Sequence, residues 1–193
     1  FFPASLYAEE FYSIGVAKAL AGHPIILKHF RDGKWLELPF PPAHRFQGNY
    51  RPALTLDSQG EIWAVWAARQ ETGPPRIYYS RHYGGGWSPP VPVNPAGGMW
   101  EMMPTIALDV EGRPLVAWSG DIDDNSEIYI SRWNGRRFSW PEPVSSPDYS
   151  PDLEPSLAAL EDGTAVLVWQ GWDGDYFRVY RSFYDGRSWT REE

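Results

Sequence analysis

The stretch Pro52-Ala-Leu-Thr-Leu-Asp-Ser-Gln-Gly60-Glu-Ile-Trp-Ala-Val-Trp66 decides the fold, because its landmarks return twice further along the chain. Pro52, Pro104 and Pro155 are each followed eight residues later by Gly60, Gly112 and Gly163, and fourteen residues later by Trp66, Trp118 and Trp169. Ser80, Ser131 and Ser182 recur at 51-residue intervals, and an aromatic stands seven residues beyond each: Trp87, Phe138 and Trp189. Self-similarity at a fixed period identifies a repeat architecture before any local reading is attempted.

A degenerate fourth copy lies at the N-terminus. Trp35 precedes Trp87 by 52 residues, and Ile25-Ile26-Leu27-Lys28 aligns with Ile77-Tyr78-Tyr79-Ser80. The earlier half of that unit, Phe2 to Ala19, lacks the Pro, Gly and Trp landmarks. The units are therefore 1–45, 52–93, 104–144 and 155–193 within a single domain of 193 residues.

Each complete unit reads as short strands. Ala53-Leu54-Thr55-Leu56 alternates, Gly60 turns the chain, Ile62–Trp66 and Arg76–Ser80 are rich in β-branched and aromatic residues, and a Gly-rich turn leads to Trp87. Four antiparallel strands per repeat at this spacing predict an all-β fold, a four-bladed β-propeller of four-stranded blades. The alternative is half of a larger propeller completed by a second chain. Small residues alternate in the first strands (Ala53 and Thr55, Thr105 and Ala107, Ser156 and Ala158), which favours the small ring. Pro89, Pro90, Pro92, Pro141 and Pro143 belong on an outer edge, because proline donates nothing to a ladder.

The stretches Ser80-Arg-His-Tyr-Gly84-Gly-Gly-Trp87, Ser131-Arg-Trp-Asn-Gly135-Arg-Arg-Phe138 and Ser182-Phe-Tyr-Asp-Gly186-Arg-Ser-Trp189 resemble the Asp-box (BNR) repeat of sialidase-like propellers. Serine, glycine and aromatic match, whereas His82, Trp133 and Tyr184 replace the third-position aspartate. The resemblance implies the propeller fold. Asp boxes serve hydrolases, lectins and sorting receptors alike, so function must come from a site. Tyr50-Arg51-Pro52 is similar to the Arg-x-Pro entry motif of that family, but Met103 and Glu154 occupy the corresponding places. An arginine set for clamping a carboxylate is therefore missing, and the expectation is a non-catalytic binding or structural module, with a lectin-like glycan binder and a sialidase-like hydrolase remnant as alternatives.

Three candidate sites follow. Trp100 and Trp172 fall in loops, away from the repeat landmarks, and suit a sugar ring or a protein partner. Asp121-Ile-Asp123-Asp124-Asn125 carries oxygen ligands at alternate positions, so Asp121, Asp123 and Asn125 are candidate calcium ligands, although no cofactor is required. Phe1, Phe2, Leu6 and Tyr7 form an apolar segment with strand character, and the last unit stops after Trp189. A strand supplied by Phe1–Tyr7 to the last unit would close the ring if it came from the same chain, and would yield a homo-oligomer or polymer if it came from a neighbouring one.

Composition narrows the field. A net charge of −8 argues against a nucleic-acid partner, and no apolar run is long enough to span a bilayer. Cysteine is absent, so disulfides, thiolate nucleophiles and cysteine–zinc sites are excluded. The chain opens on Phe1, from which an exported, extracellular or cell-surface protein whose signal has been removed is expected.

Overall fold

A computed structural model describes residues 11–17, 24–160, 162 and 164–193. The expected assembly segment, Phe1, Phe2, Leu6 and Tyr7, lies outside the described residues. The first antiparallel sheet contains β1 (Phe11–Val16), β2 (Ile25–Arg31) and β3 (Lys34–Leu38). A short 3-10 turn at Pro41–Arg45 leads to the second, β4 (Gly48–Leu56), β5 (Ile62–Arg69) and β6 (Arg76–Tyr83). Two short pieces, β7 (Gly86–Trp87) and β8 (Val91–Pro92), both pair with β6. The third sheet is β9 (Trp100–Leu108), β10 (Pro114–Ile122), β11 (Asn125–Arg132) and β12 (Glu142–Pro143). The fourth is β13 (Asp152–Ala159), β14 (Ala165–Trp172) and β15 (Phe177–Tyr184). No α-helix occurs among the described residues.

Local chemistry explains the recurring landmarks. Asp57 and Asp109 end the innermost strands and accept backbone N–H groups through their side chains, Asp57 from Gln59 and Glu61, Asp109 from Glu111 and Arg113. Gly60 and Gly112 complete those turns at φ of 76° and 72°, where a Cβ is disfavoured. The repeated serine closes the outer turn. The hydroxyls of Ser80, Ser131 and Ser182 donate to the carbonyls of Ser88, Ser139 and Thr190, each at 2.7 Å. Asn134 and Asp185, one position after the expected aspartate, accept two backbone N–H groups each.

The core lies between the sheets. Ile25, Leu27, Trp66 and Tyr78 join the first sheet to the second; Trp63, Val65, Ile77, Ile106, Val116 and Trp118 join the second to the third; Leu115, Ile128, Ile130, Leu167, Trp169 and Tyr184 join the third to the fourth. The strands β4, β9 and β13 lie side by side in that order, and β1 packs on β4. Among the described residues, β13 and β1 do not share contacts of that extent. Register shows why β1 differs. Ser13 pairs with Lys28 as Ala64 pairs with Ser80, so β1, β2 and β3 take the places of β5, β6 and β7, and no described strand stands inside β1.

The outer strands are shorter than the sequence suggests. Proline limits the pairing in β8 and β12 to two residues each. The last unit's outer edge is in part occupied by its own chain. Thr190 N–H donates to Phe183 C=O at 2.8 Å, and Arg181 and Glu193 exchange backbone bonds at 3.1 Å. Glu193 thereby stands where Val91 pairs with Tyr79 and Glu142 with Ile130.

Ser131 is buried, and Ser131→Ala leaves the Ser139 carbonyl without its donor. A destabilisation of about 1–3 kcal/mol is expected, read as a lower urea midpoint with an unchanged m-value.

Candidate functional site

Each of the three complete innermost strands carries a β-bulge at the same place. Arg51-Pro52, Met103-Pro104 and Glu154-Pro155 each oppose one residue on the neighbouring strand, and that residue is the repeated tryptophan: Trp66, Trp118 or Trp169. The repeated Pro and Trp therefore mark one device. Proline has no N–H to restore the ladder, and the residue before it turns into the left-handed region, at φ of 46° for Arg51, 54° for Met103 and 53° for Glu154. A non-glycine residue held there costs on the order of 1–3 kcal/mol, and such strain clusters at ligand clamps and active sites.

The backbone is repeated while the side chains are not, so a cation, a thioether and an anion face one another. Arg51 Nη2 lies 3.3 Å from Glu154 Oε1, linking the second sheet to the fourth. Gln170 Nε2 donates to Glu154 Oε2 at 2.9 Å. Arg51, Met103, Glu154 and the following prolines line a cavity of about 240 Å³. An exposed pair of this kind adds little stability, and its effect is to orient the two groups. Met103 also borders an adjacent cleft of about 190 Å³, walled by Trp100, Met102, Asp121 and Ser126. Trp100 is 58% exposed.

A second polar cluster lies deeper, at the junctions between sheets. Glu101 is fully buried, accepting the Ile77 N–H at 2.8 Å and the Asn94 amide at 2.6 Å. One unit later, Ser145 accepts the Ile128 N–H at 2.9 Å and donates to Glu127 Oε2 at 2.6 Å, while Trp169 Nε1 donates to Asp152 Oδ1 at 3.1 Å. Burial pushes all three carboxyls upward against their hydrogen bonds. Asp152, with the Glu127 charge beside it adding to the effect of burial, is raised to about 7. These groups tie one sheet to the next and do not line either cavity.

The sequence candidates divide. Trp100 lines the cleft, whereas Trp172 is half-buried and packs edge-on against Phe177 at 5.2 Å. Asp121, Asp123 and Asn125 lie together at the connection between β10 and β11. They belong to a two-residue hairpin turn, with Asp123 and Asp124 at φ of 54° and 63°, in which Asp121 pairs with Ser126 and Ile122 with Asn125. Asn125 donates its amide to Glu127 Oε1 and to the Asp148 carbonyl, and Asp121 accepts the Ser126 hydroxyl. Among the described residues no group of three or more His, Cys, Asp or Glu side chains is placed to hold a metal. Glu101 and Asp152, both acidic, are buried. Trp189 packs on Tyr184 at 5.2 Å within its own unit. The sequence aligns Arg51, Met103 and Glu154, and the recurrence of a dissimilar residue before each repeated proline is the signal that marks them.

No protein-family model and no curated protein matches the chain. Solved structures do. A Hadza microbial sialidase superposes with a TM-score of 0.62 at 17% identity, over 85% of this chain and 44% of the sialidase. A protein of unknown function from Dyadobacter fermentans gives 0.69 at 16%, over 93% of this chain and 60% of that one. An endo-arabinase from Bacteroides thetaiotaomicron gives 0.61 at 15%, over 90% and 70%. The chain thus spans about half the length of the first two. These likenesses establish the fold of the propeller glycosidases, with its all-antiparallel sheets.

Asp152 binds its proton more tightly in the folded chain than in the unfolded chain, where its ordinary value is 3.8. Its contribution to stability is therefore complete below about pH 4 and is lost as pH rises through about 7. Thermal melts from pH 4 to 8 on the wild type and on Asp152→Asn test this: the decline with pH is expected to flatten in the variant.

Proposed function

We propose that this chain is a carbohydrate-binding β-propeller unit acting outside the cytoplasm, without hydrolytic activity of its own. The observation that carries the reading is the set of equivalent bulges presenting Arg51, Met103 and Glu154 to one cavity, with Met103 also lining the neighbouring cleft that Trp100 walls. An aromatic face beside a cation and an anion suits a sugar: the ring stacks on the indole, and the hydroxyls or a carboxylate meet Arg51 and Glu154. Propeller glycosidases and a polysaccharide lyase among the structural neighbours support carbohydrate as the ligand class.

Binding is favoured over hydrolysis by the placement of the acids. Glycoside cleavage needs one carboxyl kept protonated as a general acid opposite a second, ionised one. The carboxyls raised in this chain, Glu101, Glu127 and Asp152, are committed to the junctions between sheets. Glu154 is held by Arg51 and Gln170.

Calorimetric titration against sialylated, arabinan-type and uronic-acid oligosaccharides tests the reading. Trp100→Ala is expected to weaken binding of the recognised sugar about 10-fold, equivalent to 1.4 kcal/mol. Arg51→Ala is expected to act in the same direction, while Trp172→Ala leaves affinity unchanged. Release of reducing ends that Glu154→Gln abolishes would show a hydrolase instead.

A further inference from the structure

We propose that the cleft beside Met103 seats a single neutral sugar ring, and that Ser119 and Asp121 select that ring over an acidic one, which rests on the carbohydrate reading of the site. Alternation along β10 sends Leu115, Ala117, Ser119 and Asp121 to the face that packs on the fourth sheet. The first two are core, together with Leu157 and Leu167. At Ser119 the face turns polar, and there the cleft of about 190 Å³ opens, bordered by Leu153 from the fourth sheet. Register supplies its walls. Trp100, Asp121 and Ser126 form one row across β9, β10 and β11, and Met102, Ser119 and Ile128 form the row beneath. Residues opposite one another in an antiparallel pair share a face, so both rows look the same way. Ile128 stays in the core, whereas Trp100 at the rim is exposed.

The floor carries the observation that points to a ligand. Ser119 is 4% exposed, and its hydroxyl finds no hydrogen-bond partner among the described residues. By register the second sheet has Ala67 at this place, fully buried in the apolar core. The frame therefore accepts a methyl group here, and the hydroxyl is an addition that packing does not require. A buried hydroxyl left unpaired is costly, and a polar group entering the cleft removes that cost.

Asp121 sets the class of sugar. Its Oδ2 accepts the Ser126 hydroxyl at 3.2 Å, which leaves Oδ1 for a donor from the cleft. A carboxylate accepts and does not donate, so it matches sugar hydroxyls and repels a uronate carboxylate at the same place. Among the described residues no lysine, arginine or histidine lines the cleft to offset that charge, and Arg51 belongs to the neighbouring cavity. The Trp100 indole offers the ring an apolar face. Pockets that enclose a drug-sized molecule run to roughly 300–1,000 Å³, so a cleft of this size has room for one ring and not for a chain of them.

Chemical-shift titration of the nitrogen-15-labelled chain, following the Trp100 indole N–H, tests the assignment. The probes are the methyl glycosides of glucose, galactose, mannose and arabinose, with methyl glucuronide and methyl galacturonide beside them. At least one neutral glycoside is expected to shift that resonance and to bind about 10-fold more tightly than either uronide. Asp121→Asn is expected to bring neutral and acidic sugars within about 3-fold of one another. Ser119→Ala is expected to weaken the neutral glycoside about 10-fold while raising the urea midpoint, a combination that a purely structural serine does not give. A uronide bound as tightly as the neutral glycosides, or a preference that survives Asp121→Asn, overturns the assignment and leaves the carbohydrate reading standing. Neutral binding unchanged in Ser119→Ala, or a lower urea midpoint for that variant, does the same. If no glycoside shifts the Trp100 resonance, the carbohydrate reading and the choice of sugar fall together.

Discussion

Everything in this molecule depends on sheets packing face to face, the second and third burying both of their faces against neighbours. There is no central core shared by all parts. Trp63 and Trp118 fill one gap and Leu167 and Trp169 the next, so each sheet is stabilised chiefly by those beside it. That arrangement explains why the same positions recur with the same chemistry at intervals of 51 or 52 residues. A residue facing a gap must match its counterpart across that gap, whatever lies further along the chain. It also explains the cost of polar groups at the junctions. Glu101 and Asp152 are acceptable there because backbone and side-chain donors meet them at hydrogen-bond distance.

Much of the architecture was legible in the residues themselves. Proline, glycine, tryptophan and serine spacing pointed to antiparallel sheets, and alignment of Lys28 with Ser80 survives in the observed register. What escaped was conformation that spacing does not encode. A residue before proline is normally read as extended, so the left-handed turn at Arg51, Met103 and Glu154 could not be inferred from any one unit. Alternating oxygens at Asp121, Asp123 and Asn125 do not by themselves encode the tight hairpin that the strand register shows there. Burial was the other blind spot. Glu101 and Asp152 look like loop acids in a one-dimensional pattern, and only packing shows that they are enclosed.

The site and the frame obey different rules. At the serine-closed turns and at the buried tryptophans, identity repeats because geometry requires it. At the bulges the geometry repeats and the identity does not. Structural positions converge on one residue type, whereas positions facing the open cavity are free to diverge once the backbone that displays them is secured. Trp100 follows the second pattern: it opens β9 outside the set of landmark tryptophans and is exposed where they are enclosed.

The bulges have an evolutionary corollary. Their shape is set by proline and by the indole across the ladder, not by the side chain they carry, so Arg51, Met103 and Glu154 are mounts whose fittings are exchangeable one at a time. A lineage could alter the chemistry the cavity presents through single substitutions at these three places, without renegotiating the packing that keeps the sheets together.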